Sequence, residues 1–223
     1  MFAGYCDGAQ QAFEQHGVHV RLTPDIPGGC PLEIAEMTAR RAVAHRSRGL
    51  VGLGLGGPEA QYPSEPYARA FAIARDGGLG SVPHAGEAAG PASIRGALDT
   101  LHPDRIRHGI RAAEDPGLLA ELAARGTVLD VCPVSNLRTG VVASLADHPL
   151  PQLLAAGIAC SISTDDPAMF GTDLAADYAA AIKLGATARD SYLAGLQGAL
   201  CDERTRAALQ QADDATDWTR ATE

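Results

Sequence analysis

Short apolar runs alternate along this chain with longer stretches of helical period, and the switches fall on glycine, proline or aspartate. The pattern predicts a first helix over 7–16, capped by Asp7 and stopped by Gly17, in a chain that already reads as the inside of a domain at Met1. A strand over 18–26 follows and ends in Thr23-Pro24-Asp25. Pro31 opens a helix to about Arg48, ended by Gly49, and a strand over 50–55 closes in Gly56-Gly57-Pro58-Glu59. Pro66 opens the next helix, which Gly77-Gly78 terminates before a strand over 80–85. A helix over 91–101 leads to a strand over 105–108. Asp115-Pro116 caps a helix to Arg125, with Gly126 at its end, and a strand over 127–131 follows. A helix over 150–156 precedes a strand over 158–163. Helices from about Asp173 complete the chain, and the polar tail from Asp202 (Gln210-Gln211-Ala212-Asp213-Asp214) is expected to fray.

Strand and helix alternating through short connections predict an α/β fold with a parallel sheet and crossover helices. The polar groups all follow their strands. In a (β/α)8 barrel of the TIM type the active site lies at that end, and an open doubly wound sheet places ligands there too. Six strands are visible rather than eight. At roughly 30 residues per βα unit, the expectation is a single, partial barrel domain over 1–223 that lacks its first two βα units.

Composition narrows the function classes. The chain is 46% hydrophobic with a net charge of −9, and its 18 basic residues form no dense run. That argues against nucleic acid or an anionic membrane as partner. No apolar run reaches the ~18 residues of a membrane span, and no basic region opens the N-terminus. Cysteines 6, 30, 132, 160 and 201 have no Cys-x-x-Cys spacing and are odd in number, which reads as reduced thiols of a cytoplasmic protein.

The candidate chemistry sits after four strands: His84-Ala85-Gly86-Glu87, Arg105-Ile106-Arg107-His108-Gly109, Cys132-Pro133-Val134-Ser135-Asn136 and Ser163-Thr164-Asp165-Asp166-Pro167. Adjacent carboxylates repel each other, and a bound cation relieves that. Singly, each feature has a plain reading: His84 and His108 as hydrogen-bonded core histidines, Glu87 as a solvated loop residue, Asp165-Asp166 as the cap of a turn. Together they gather two imidazoles and three carboxylates at one barrel mouth, a set suited to zinc with a position left for water. Cys132 reads as a buried thiol, since no base is spaced to activate it. Residues 52–57, Gly-Leu-Gly-Leu-Gly-Gly, formally match GxGxxG. The glycines lie in and just after a strand, Pro58 follows, and the next helix opens only near Pro66, so a dinucleotide fold is discounted. Close backbone approach to a flat ligand and a glycine-rich barrel turn both remain open there.

These motifs, in this order, resemble the adenosine deaminase family of zinc amidohydrolases over roughly residues 18–180. Gly-Leu-Gly-Gly-Pro-Glu at 54–59 is similar to bacterial members, some of which deaminate aminodeoxyfutalosine. The resemblance implies one Zn2+ per chain, with His84 and Asp165 as ligands. It implies Glu87 as the acid that protonates purine N1, with a pKa raised by burial, and His108 as the group that orients the water and takes or shuttles its proton. It further implies Asp166 on N7 and the Gly57 N–H on N3 of a purine nucleoside.

Three departures from the family pattern are visible. The family's His-x-His pair, which supplies two further zinc ligands, is not among these 223 residues, and His16 and His19 have the wrong spacing. Arg107 stands where the family usually has Gly, and Gly54 where many members have Asp. The principal expectation is therefore zinc-dependent deamination of a 6-aminopurine nucleoside. A non-catalytic remnant that at most binds purines, and self-associates through unpaired sheet edges, is the alternative. A phosphate-binding barrel enzyme using residues 54–57 is a third reading.

Overall fold

The structure, a computed structural model, describes residues 1–220. The chain forms two compact units: Met1–His84 with Gly96–Asp104, and Ala85–Arg95 with the chain from Arg105 onward. Each is built from parallel strands and the helices between them, the expected α/β pattern.

The first unit contains α1 (Phe2–His16), β1 (Asp25–Pro27), α2 (Leu32–Val43), β2 (Gly52–Gly56) and α3 (Ala68–Asp76), and β3 (Gly80–Ala85) runs to its boundary. β1 pairs β2 with Asp25 opposite Gly54, and β2 pairs β3 with Gly54 opposite Val82, both parallel. Ile26, Leu53 and Phe71 are fully buried here. The first helix begins at Phe2 rather than at Asp7, and no side chain caps it. Asp7 pairs with Arg48 instead. The strand expected over 18–26 is laddered only at Asp25–Pro27, with a lone bridge from Leu22 to Leu50. Pro24 explains the gap: it has no N–H to donate to the ladder, although its carbonyl still accepts from Gly54.

The residues of α4 (Pro91–Thr100) up to Arg95 belong to the second unit and those from Gly96 to the first. The second unit holds β4 (Arg105–His108), α5 (Pro116–Arg125), β5 (Val128–Val131), α6 (Pro133–Arg138), α7 (Leu150–Ala155) and β6 (Cys160–Ile162). It continues through α8 (Pro167–Phe170), α9 (Leu174–Lys183), α10 (Ala188–Gln197) and α11 (Glu203–Ala215). β4, β5 and β6 are parallel, with Arg107 opposite Asp130 and Asp130 opposite Ser161. All four residues of β5 are buried, as a strand covered on both faces requires. α5 forms as its sequence predicts: Asp115 accepts from the N–H groups of Gly117 and Leu118, Pro116 opens the first turn, and Gly126 closes the last in a left-handed conformation.

Two expectations change here. Cys132–Asn136 is not a simple strand end, because Pro133 starts α6 one residue later. The tail from Asp202 does not fray among the described residues. The Asp202 side chain caps α11, and buried Asp213 accepts from the Arg189 guanidinium at 3.1 Å and from Trp218 Nε1 at 2.9 Å. One inward-facing carboxylate anchors an otherwise polar helix, which composition does not reveal.

Candidate active site

In the first unit, His84 is the next-to-last residue of β3, and its side chain is 21% exposed. Its Nδ1 lies 2.8 Å from the carbonyl oxygen of Leu55 on β2. A carbonyl only accepts, so Nδ1 carries the proton, and in the neutral ring Nε2 holds the lone pair that a metal needs. The Asp25 carboxylate stands 3.8 Å from the same Nδ1. Asp25 was not among the residues expected to act. It opens β1 and is paired directly opposite Gly54 of the glycine run.

That register explains the glycines. A Cβ on Gly54 would collide with the Asp25 carboxylate, and one on Gly56 would sit 3.4 Å from the His84 ring. The space that a side chain at position 54 would need is thus taken by the carboxylate of Asp25. Gly57 has φ +114°, a backbone conformation that other residues rarely adopt. No helix opens on the third glycine, since α3 begins at Ala68, which agrees with discounting a dinucleotide fold.

In the second unit the structure brings together Glu87, His108 and Asp165. His108 ends β4 and is buried, 1% exposed. Its Nε2 lies 3.5 Å from Glu87 Oε2 and 4.0 Å from Asp165 Oδ2. Ser135 on α6 donates to Asp165 Oδ2 at 2.6 Å, and Asn136 Nδ2 lies 3.3 Å from His108 Nδ1. The run Cys132–Asn136 therefore acts through its hydroxyl and amide. Its thiol is buried, and both burial and the nearby aspartates push the Cys132 pKa well above the ordinary thiol range, so it is no nucleophile.

Backbone conformation marks two of these residues. His108 has φ +63° and Asp165 φ +56°, in the left-handed region that non-glycine residues seldom occupy. Such a conformation costs about 1–3 kcal/mol and persists where the surroundings over-determine it. His102, which belongs to none of the motifs, also has a positive φ of +48°, so strain acquires meaning only with the side-chain geometry. Asp166 precedes α8 and makes no capping bond with its side chain. The plain reading of Asp166 as a cap is therefore set aside. Deeper in the unit, Asp177 on α9 accepts from the Val134 N–H at 3.0 Å and from Thr172 Oγ1 at 2.9 Å. Burial raises the pKa of this carboxyl. It holds the start of α6, and so Ser135 and Asn136, in place.

Each unit offers a donor of a type that zinc takes: in the first, the His84 imidazole with its far nitrogen tied to a carbonyl, and in the second, the Asp165 carboxylate held by a hydroxyl. No His-x-His pair occurs in this sequence.

Comparison with known proteins identifies the family. The adenosine deaminase family pattern matches residues 2–215. An aminodeoxyfutalosine deaminase of Acidothermus cellulolyticus is 51% identical over the whole of this chain, which spans 64% of that relative's length. The crystal structure of an adenine deaminase from Arthrobacter aurescens superposes with a TM-score of 0.88 at 29% identity, covering 97% of this chain and 67% of that one. A zinc-bound amidohydrolase from Burkholderia ambifaria gives 0.89 at 27% identity, covering 98% and 62%. The motifs, the α/β architecture and these matches agree on one conclusion: the chain belongs to the adenosine deaminase family.

Proposed function

We propose that this chain carries the catalytic carboxylate and part of the metal site of a zinc-dependent aminohydrolase acting on 6-aminopurine nucleosides. The observation that carries the reading is the meeting of Glu87 and Asp165 on one nitrogen of a buried His108, at 3.5 and 4.0 Å. Residues held in strained backbone conformations cluster at active sites, and both His108 and Asp165 have a positive φ. The identity to an aminodeoxyfutalosine deaminase supports that compound, alongside adenosine, as the substrate to try first.

In this reading His84 and Asp165 hold the ion, which when bound brings the pKa of a water down to about 7. Glu87 donates a proton to purine N1 and makes C6 electrophilic. His108 orients the attacking oxygen. Asp166 binds the N7 edge and the Gly57 N–H the N3 edge. A C6–O bond forms, the C6–N bond breaks, and ammonia leaves with the amino nitrogen. One water is consumed and a 6-oxopurine remains.

The test uses two forms: the 223-residue chain, and the same chain fused behind a family His-x-His segment. Deamination by the fusion and none by the chain alone is the expected result. Zinc bound by the fusion without turnover of any 6-aminopurine nucleoside would instead favour a non-catalytic purine-binding relative. Ser135→Ala serves as a check on the metal site. It removes the 2.6 Å donor to Asp165 and is expected to weaken zinc affinity about 10–100-fold, read by competition with a chromogenic chelator.

A further inference from the structure

A buried hydrogen-bond chain behind His108 determines which of its ring nitrogens carries the proton. The chain starts at a group whose role is fixed. The backbone N–H of Leu150 points at Nδ1 of His148 over 3.1 Å. A backbone amide only donates, so Nδ1 accepts, and the proton of the neutral ring sits on Nε2. Burial keeps this ring neutral by pulling its pKa down to about 4. His148 Nε2 then donates to Asn136 Oδ1 at 3.2 Å.

That contact orients the Asn136 amide. The reversed amide would set its NH2 against His148 Nε2 and leave His148 accepting on both nitrogens, which a neutral imidazole at this site, with its one ring proton, does not do. So Asn136 Nδ2 donates to His108 Nδ1 at 3.3 Å. His108 Nδ1 is therefore an acceptor, and its proton is on Nε2, the nitrogen facing Glu87 and Asp165. His108, Asn136 and His148 are 1%, 0% and 3% exposed, so water does not compete along the chain.

We infer that His148 and Asn136 are positioning residues that lock His108 as an Nε2–H donor toward the reacting oxygen, rather than as a base that removes its proton. The tautomer stands independently of the activity; only its mechanistic meaning rests on the function proposed above. His148 was invisible in the sequence, where it is one histidine before a proline in a loop.

The experiment is long-range 1H–15N spectroscopy of the histidine rings in the 15N-labelled 223-residue chain at neutral pH, with His108→Gln and His148→Gln spectra for assignment. The expected result is an unprotonated Nδ1 and a protonated Nε2 at both His108 and His148. His148→Gln keeps a donor toward Asn136 and should leave the His108 pattern unchanged. Asn136→Asp replaces the donor by an acceptor and should move the His108 proton to Nδ1. A protonated Nδ1 at His108 in the unsubstituted chain would overturn the inference, whether or not any variant folds. An unaltered His108 pattern in folded Asn136→Asp would overturn it as well. A His108 proton on Nδ1 alongside deamination by the fusion form would remove only the positioning role of Asn136 and His148. The expected tautomer alongside a fusion form that binds zinc but does not deaminate would remove only the proposed function.

Discussion

Glu87→Gln is expected to lower turnover of a 6-aminopurine nucleoside by about 10²–10⁴-fold, the usual contribution of a positioned acid. Glutamine keeps the size of the side chain and one hydrogen-bonding oxygen, but has no carboxylic proton to give to N1. The side chain of Glu87 is 22% exposed, so it lies at an open site rather than in the core, and its loss should not unfold the unit. Zinc content should stay unchanged, because no ligand role falls on Glu87. KM should change far less than kcat, since proton donation strengthens in the transition state. Steady-state kinetics on the fusion form, with zinc measured on the same samples, reads all three quantities. An equal rise in KM with kcat intact would make Glu87 a binding residue and not an acid.

Asp130→Ala is expected to cost about 3–5 kcal/mol of stability, the usual penalty for leaving a buried charge without its partner. The Asp130 carboxylate accepts from Arg105 Nε at 2.9 Å and from Ser161 Oγ at 2.7 Å, while Arg105 Nη1 donates to the Gly198 carbonyl at 3.0 Å. Their side chains are only 18% and 11% exposed, Arg105 and Asp130 respectively. This cluster joins the first residue of β4 to the third residue of β5, the middle residue of β6 and the glycine that follows α10. Urea denaturation of the second-unit signal checks the prediction through the midpoint at constant slope. Arg105→Met with Asp130→Leu, which removes both charges, should lose much less than Asp130→Ala.

Much of this was legible in the residues. β3, β4 and α5 lie at their expected positions because local signals agree there: apolar runs bounded by glycine, and an Asp-Pro start with a glycine stop. His84, Glu87, His108 and Asp165 could be singled out as candidates because they stand at or just after strand ends in short motifs. Asp25 and His148 could not, since the contacts that distinguish them reach beyond their own motif. Asp25 stands out only after the register sets it opposite Gly54, and His148 only after Leu150 and Asn136 surround its ring. The α11 anchor was hidden for the same reason. Asp213 looks like one more solvated acid until Arg189 and Trp218 fold onto it. Residues whose roles come from long-range packing leave no local trace in a single sequence.

The most direct test of the account is ammonia release from adenosine and from aminodeoxyfutalosine by the fusion form, before and after chelation. The account predicts formation of the 6-oxopurine, its loss when zinc is stripped, and its return when zinc is restored. A protein that binds zinc at one ion per chain, yet releases no ammonia from any 6-aminopurine nucleoside, would contradict it.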